Sequence, residues 1–188
     1  MIQPKPVRLL EGTHVYLRPF NVEDAEIYFQ LLFQAETRRL TGTQHSFTLE
    51  QIRRYAEAKG QDPTQVLLLI ALKENDEVIG DIALQDIHPI NRSANIRIMI
   101  ASEKHQGKGY GTEAMKLMLE YGFGILNLHR IELNVFPFNP RAIHVYEKLG
   151  FKKEGVQREV LFYNHAWHDS VLMSMLAHEY RVKYQQTK

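Results

Sequence analysis

The chain has no cysteine, which excludes disulfides, thiolate metal sites and a cysteinyl acyl-enzyme. No apolar run approaches the roughly 20 residues that span a bilayer, and residues 1–8 lack the apolar stretch of a leader, so a soluble cytoplasmic protein is expected. There is no surplus of either charge: 23 Lys and Arg against 22 Asp and Glu leave a net +1. Bulk electrostatics therefore indicate neither nucleic acid nor an anionic membrane as a partner, and any charge that matters acts locally. Zinc-binding spacing is missing as well. His165, His168 and Asp169 stand close together without an HExxH or comparable pattern, and no metal is expected. What remains, in 188 residues, is one compact domain expected over 1–188, large enough to bury a core without covalent or metal staples.

Apolar periodicity divides the chain into alternating strands and helices. Val15 and Leu17 alternate with polar neighbours, which predicts a strand over 14–20; Asn21 and acidic first-turn residues then predict a helix over 23–33. Thr48 and Gln51 form a capping-box pair opening a second helix that ends by Gly60. The continuous apolar run 66–72 reads as a central strand buried on both faces, paired through Asn75-Asp76 with a strand over 77–87 that contains Gly80. Further strands are expected over 93–101 and 130–136, a long helix over 113–121, a closing antiparallel pair over 156–163 and 168–176, and a terminal helix over 177–184.

Two stretches stand out. Gln106-Gly107-Lys108-Gly109-Tyr110-Gly111-Thr112 lies between the strand ending Met99-Ile100-Ala101 and the long helix. Its glycines can enter conformations that let successive amides face one concavity, and the helix N-terminus and Lys108 add positive potential; such a loop suits a pyrophosphate, or is simply a strand-to-helix turn. The second stretch runs from Asn139 to Phe151, with Asn at the cap, Pro140 at the first helical position and Gly150 just past the end. It predicts a short helix carrying Tyr146.

Together the two stretches read QxxGxG and NxxAxxxYxKxGF, separated by a single strand. This combination resembles the Gcn5-related N-acetyltransferase (GNAT) superfamily, and the ending His168-Asp169-Ser170-Val171-Leu172-Met173-Ser174-Met175-Leu176 resembles its ribosomal-protein and polyamine acetyltransferase branch. The resemblance implies an α/β (α+β) fold whose mixed, mostly antiparallel sheet splays open, flanked by helices, with acetyl-CoA as cosubstrate in the V. It further implies that 106–112 hold the pyrophosphate through backbone amides and that Met99, Ile100 and Ala101 pair with the pantetheine. Asn139 would contact the cofactor, and Tyr146 would protonate the leaving thiolate. Such relatives are commonly dimers, and a homodimer is one expected assembly.

The chemistry agrees with the composition, since an amine attacks the thioester directly and no protein nucleophile is needed. The acceptor must first lose a proton. For a primary amine of pKa about 10.4 this costs roughly 4.6 kcal/mol at pH 7, against about 1 kcal/mol for an α-amino group near 7.8. Many relatives carry a Glu in the strand before the glycine loop; this chain has Ala94-Asn95-Ile96-Arg97, and Asn95 is not a base. Asp81, Glu132, His88 and His144 are alternatives, each with a structural explanation of its own, and the base stays unassigned. The acceptor is a peptide or small-molecule amine, chosen by residues 33–47 and by the loop 163–167. Two further readings compete with an N-acetyltransferase. One is a non-catalytic acyl-CoA-binding module. The other is a dinucleotide-binding oxidoreductase, which the GxGxG spacing and the lack of repeated βαβ units disfavour.

Overall fold

The computed structural model describes residues 7–185, so the ends of the expected domain lie outside the described residues. Eight strands form one sheet in the order β1-β2-β3-β4-β5-β6-β8-β7. The strands are β1 (Leu10–Glu11), β2 (Val15–Pro19), β3 (Val66–Leu72), β4 (Val78–His88), β5 (Ser93–Ile100), β6 (Arg130–Val135), β7 (Lys152–Tyr163) and β8 (Ala166–Leu176). Every pair is antiparallel except β5 with β6, which run parallel. The helices are α1 (Ala25–Leu32), α2 (Ala35–Thr41), α3 (Leu49–Lys59), α4 (Tyr110–Glu120), α5 (Pro140–Leu149) and α6 (Ala177–Tyr184). Among the described residues no helix is long and apolar enough to cross a membrane.

Period-two alternation explains how one sheet serves two cores. On β3, Leu68, Ile70 and Leu72 face the core built with Met115, Met118 and Leu119 of α4. Leu67, Leu69 and Ala71 face the opposite core, with Tyr28 of α1 and Ile52 and Ala56 of α3. The run 66–72 is therefore the doubly covered strand that its continuous hydrophobicity predicts. The α3 cap forms as expected: Gln51 N–H donates to Thr48 Oγ1 at 3.2 Å and Thr48 N–H to Gln51 Oε1 at 2.8 Å.

Several elements differ from expectation. α2 was not anticipated, because its seven residues present no apolar stripe; only Thr37 is buried, and its hydroxyl donates to Ala101 O at 3.0 Å across the sheet. α4 starts at Tyr110 rather than at 113, so Gly111 and Thr112 belong to its first turn, and a π-helical turn over Tyr121–Ile125 extends it. Asn21 does not cap through its side chain; its N–H donates to Asp24 Oδ2 at 3.0 Å.

The far end of the sheet is tied by charge. Arg130 donates to Glu154 across β8 at 2.6 and 2.7 Å and to Glu132 at 2.8 and 3.1 Å, while Ser174 Oγ donates to Glu154 at 2.6 Å. The Arg130 and Ser174 hydrogen bonds hold the Glu154 carboxyl down to about 2. A carboxyl depressed in the folded state stabilises above its unfolded pKa, and that contribution is lost as pH falls from about 4.5 towards the folded value. The melting temperatures of wild type and Glu154→Gln should therefore differ at pH 6 and converge as pH approaches 2. A constant offset down to pH 2 would show that this network carries no pH-dependent stability.

Candidate active site

β5 and β6 pair over only three positions, Ser93 with Arg130, Ala94 with Ile131 and Asn95 with Glu132. Beyond Asn95 they diverge, while β5 stays paired with β4 up to Gly80 opposite Ile100, and β6 with β8 up to Val135 opposite Val171. The divergence opens a cleft of about 1370 Å3 through the sheet. One side is walled by α4 and α5, the other by α1, α2 and α3.

Hydrogen-bond direction alternates along a strand, and this decides which β5 amides face the opening. Ala101 N–H donates to Ile79 O of β4 at 3.0 Å, and Ala101 O accepts from Thr37. The main chain of Ala101 is thus fully engaged, and its expected pairing with pantetheine is corrected. By alternation the amides of Ile98 and Ile100 point to the open edge; the main chain of Met99 turns to β4 as that of Ala101 does, so its expected pairing with pantetheine is corrected too, although Met99 lines the cleft with Ile98 and Ile100. Ile98 was missed because its direction depends on the β4 register, which no local pattern encodes.

The glycine loop folds into a cradle. Gly107 and Gly109 adopt φ of +75° and +85°, and a Cβ at either would meet nothing within 4 Å, so the positive φ and not crowding is what calls for glycine there. Gly109 caps α4, whose first-turn residues Tyr110, Gly111 and Thr112 line the cleft together with Gln106, Gly107 and Gly109. The Gln106 side chain is structural: its Nε2 donates to Ile100 O at 3.0 Å and its Oε1 accepts from Arg141. Lys108 is exposed and does not line the cleft. Glu113 anchors α4 to β2, accepting from the backbone N–H of His14 at 2.8 Å and Val15 at 3.2 Å; burial opposes its ionisation, but these bonds hold its carboxyl below the usual range.

Across the cleft stands α5. Asn139 caps it, with Oδ1 accepting from Ala142 N–H at 3.2 Å, and Gly150 ends it at φ +104°. Asn139 also lines the cleft, so cap and wall are one residue. Tyr146 faces the same space, its ring 6.0 Å from Phe151 in an edge-on contact. Burial pushes its phenol up to about 12. Lys148 of the second motif adds a cation to this half, and so do Arg141 and, from α4, Lys116, which sequence reading did not single out.

Among the described residues that line the other half, Arg97 carries the formal charge. Tyr28, Thr37, Thr41, Phe47 and Tyr55 line it, in keeping with a role for residues 33–47 beside the cleft. The loop 163–167 does not line it; its neighbour Phe162 is tied back through Gln44, which donates to Phe162 O at 2.6 Å. Arg97 Nη1 lies 2.7 Å from Asp81 Oδ2, with the arginine side chain 33% exposed and Asp81 0%. Tyr28 OH donates to the same Asp81 oxygen at 3.2 Å, and Asp81 Oδ1 has no partner.

Three of the four alternative bases are engaged by neighbouring groups, and the fourth, His144, lines the cleft. Asp81 is paired with Arg97, Glu132 with Arg130, and His88 Nδ1 accepts from Asn91 N–H at 3.1 Å in a hairpin turn. His144 is exposed on the α5 wall. Asn95 donates to Asn134 at 3.4 Å. Among the described residues no three His, Asp or Glu side chains could share a metal ion.

Comparison with known proteins agrees with this geometry. An acetyltransferase (GNAT) domain model matches residues 14–152. The spermidine N(1)-acetyltransferase of Escherichia coli K12 is 31% identical over 166 residues, covering 88% of each chain. That of Vibrio cholerae is 44% identical over 103 residues, which spans 55% of this chain and 59% of that protein. The crystal structure of the Vibrio cholerae spermidine N-acetyltransferase in complex with CoA and spermine superposes with a TM-score of 0.84 at 28% identity, over 90% of this chain and 99% of that one. The chain belongs to the GNAT acetyltransferase family. It is an N-acetyltransferase, and the non-catalytic reading is not favoured.

Proposed function

We propose that this single-domain protein transfers the acetyl group of acetyl-CoA to a primary amine through a site formed where β5 and β6 part. The observation that carries the proposal is the juxtaposition, across one cleft, of a main-chain cradle, open-edge strand amides and a phenol. Acetyl-CoA supplies an activated acyl group as a thioester. The residues fit it: the amides of 106–112 and the α4 N-terminus form an anion cradle for the diphosphate. Lys116, Arg141 and Lys148 lend charge to the same half. The Ile98 and Ile100 amides extend the sheet towards an amide-bearing pantetheine arm, and one of them offers a donor to the acyl oxygen as negative charge develops there.

Tyr146 donates a hydrogen bond to the leaving sulfur. Complete transfer from a phenol at about 12 to a thiolate near 8.5 is uphill by about 5 kcal/mol. The proton that finally neutralises the sulfur therefore comes from the acceptor nitrogen, whose acidity rises once it is acylated, and Tyr146 stabilises the departing charge. This is a more limited role than full protonation. The working form is a cytoplasmic homodimer in this reading, supported by the Val160, Phe162 and Trp167 patch on the β7–β8 hairpin, exposed at 53%, 47% and 60%; light scattering would then read the mass of two chains.

A thiol-detection assay with acetyl-CoA and a panel of peptides, polyamines and aminoglycosides tests the activity. CoA release that depends on the amine is expected. Acetyl-CoA binding without release on any amine would overturn the proposal.

A further inference from the structure

Beyond the point where β5 and β6 part, side chains tie the two walls of the cleft together again. Gln106 Nε2 donates to Ile100 O, at the end of β5, at 3.0 Å, and Gln106 Oε1 accepts from the Arg141 guanidinium in the first turn of α5. A carboxamide suits both tasks at once. A carboxylate in its place would oppose Ile100 O, and a guanidinium would oppose Arg141. Gln106, Asn139 and Arg141 also line a polar pocket of about 440 Å3 beside the cleft, so the bridge is part of the partition between the two cavities. In that pocket Glu36 is held by Arg39 at 2.7 and 2.8 Å, while Arg141 turns to Gln106.

The same bridge edits the strand edge with which a cofactor arm pairs. The N–H and C=O of one strand residue point the same way, and those of Ile98 and Ile100 face the opening. At the mouth, however, the carbonyls are already occupied: Ala101 O accepts from Thr37 and Ile100 O from Gln106. An arm entering from the glycine loop can still accept from Ile100 N–H. Its own amide N–H finds its carbonyl at Ile98, two residues or about 7 Å further in.

We infer that Gln106, held by Arg141, is a positioning residue that closes the outer end of the β5 edge and so fixes how deep the acetyl-bearing arm pairs. It acts through Ile100 and not on the acyl group. The inference rests on the acetyl-CoA site proposed above. Without the bridge, Ile100 C=O competes for the amide meant for Ile98, β5 and α5 lose their tie, and the bound thioester stops short of the phenol. Binding itself survives, because the main-chain amides of the cradle still hold the diphosphate. The defect therefore falls on kcat.

The test measures kcat and the KM for acetyl-CoA by CoA release, with the panel amine that the wild type turns over fastest. Gln106→Met keeps the length of the side chain and removes both bonds; kcat should fall about tenfold while KM changes by less than about threefold. Gln106→Arg and Arg141→Glu, read at saturating acetyl-CoA, should each lower kcat as well. The first sets two guanidinium groups together, and the second draws the Gln106 amide N–H away from Ile100. In the double variant the introduced guanidinium donates both to Ile100 O and to the introduced carboxylate, and kcat should return to within about threefold of wild type. An unchanged kcat in Gln106→Met, or a double variant no faster than its single changes, would overturn the inference. So would Arg141→Ala raising KM with kcat intact, which would make Arg141 a phosphate ligand only. No CoA release by the wild type with any amine would overturn the underlying reading of the site as well.

Discussion

Replacing Tyr146 by Phe is expected to lower kcat about a hundredfold while acetyl-CoA affinity changes by less than about threefold. Tyr146 lines the cleft, and the change removes only its hydroxyl. The ring keeps its edge-on contact with Phe151 in the variant, so α5 should remain in place and melting should be unchanged within about 1 °C. A role confined to the leaving sulfur appears in kcat, because the bound thioester carries little charge there before the bond breaks. The pH profile offers a second reading of the same group. With the phenol pushed up to about 12, Tyr146 stays protonated through the usual assay range. The rate should therefore climb with deprotonation of the acceptor amine and show no falling limb below about pH 10 that Tyr146→Phe removes. Full turnover by the variant would remove Tyr146 from the mechanism.

How much of this site is visible in the chain depends on whether its causes are local. The α5 segment is legible because its cap, its first-turn proline and its terminal glycine all lie within the thirteen positions from Asn139 to Phe151, and each acts on its immediate neighbours. The cradle is legible for the same reason, since Gly107 and Gly109 set their own φ. The directions of the β5 amides are not. They follow from Ala101 N–H bonding to Ile79, twenty-two positions earlier, which turns Ala101 to β4 and leaves Ile98 and Ile100 at the open edge. α2 is hidden similarly, because its buried Thr37 is held by Ala101 O, sixty-four positions away.

The Arg97–Asp81 pair shows the limit most clearly. Asp81 alternates out of β4 as an ordinary strand polar residue would, and Arg97 reads as a solvent-facing cation two positions past Asn95. Only the antiparallel register, with Asp81 opposite Met99 and Ala83 opposite Arg97, brings the two together beneath α1. The family pattern marks the absence of the usual glutamate at Asn95. It takes the fold to show that the carboxylates near that position, Asp81 and Glu132, are ion-paired with Arg97 and Arg130.

The second large effect is expected where the open edge of β5 is positioned from behind. Gly80 of β4 lies opposite Ile100, and a Cβ there would sit 1.9 Å from Met99 O and 2.9 Å from Met99 C. Both are backbone atoms, so no rotamer change relieves the overlap; β4 and β5 must separate. Gly80→Ala should destabilise the protein by about 3 kcal/mol or more, lowering the melting temperature by roughly 6–12 °C for a chain of this size. The displacement would also shift the Ile98 and Ile100 amides relative to Tyr146, so the surviving folded fraction should lose kcat as well as stability. Gly107→Ala is the matched comparison. Its Cβ meets open space and only φ of +75° is strained, so about 1 kcal/mol of stability is at stake, and its effect should appear in the KM for acetyl-CoA. If Gly80→Ala melts within about 1 °C of wild type, β4 does not hold β5 at this distance, and the placement of the strand amides loses its support.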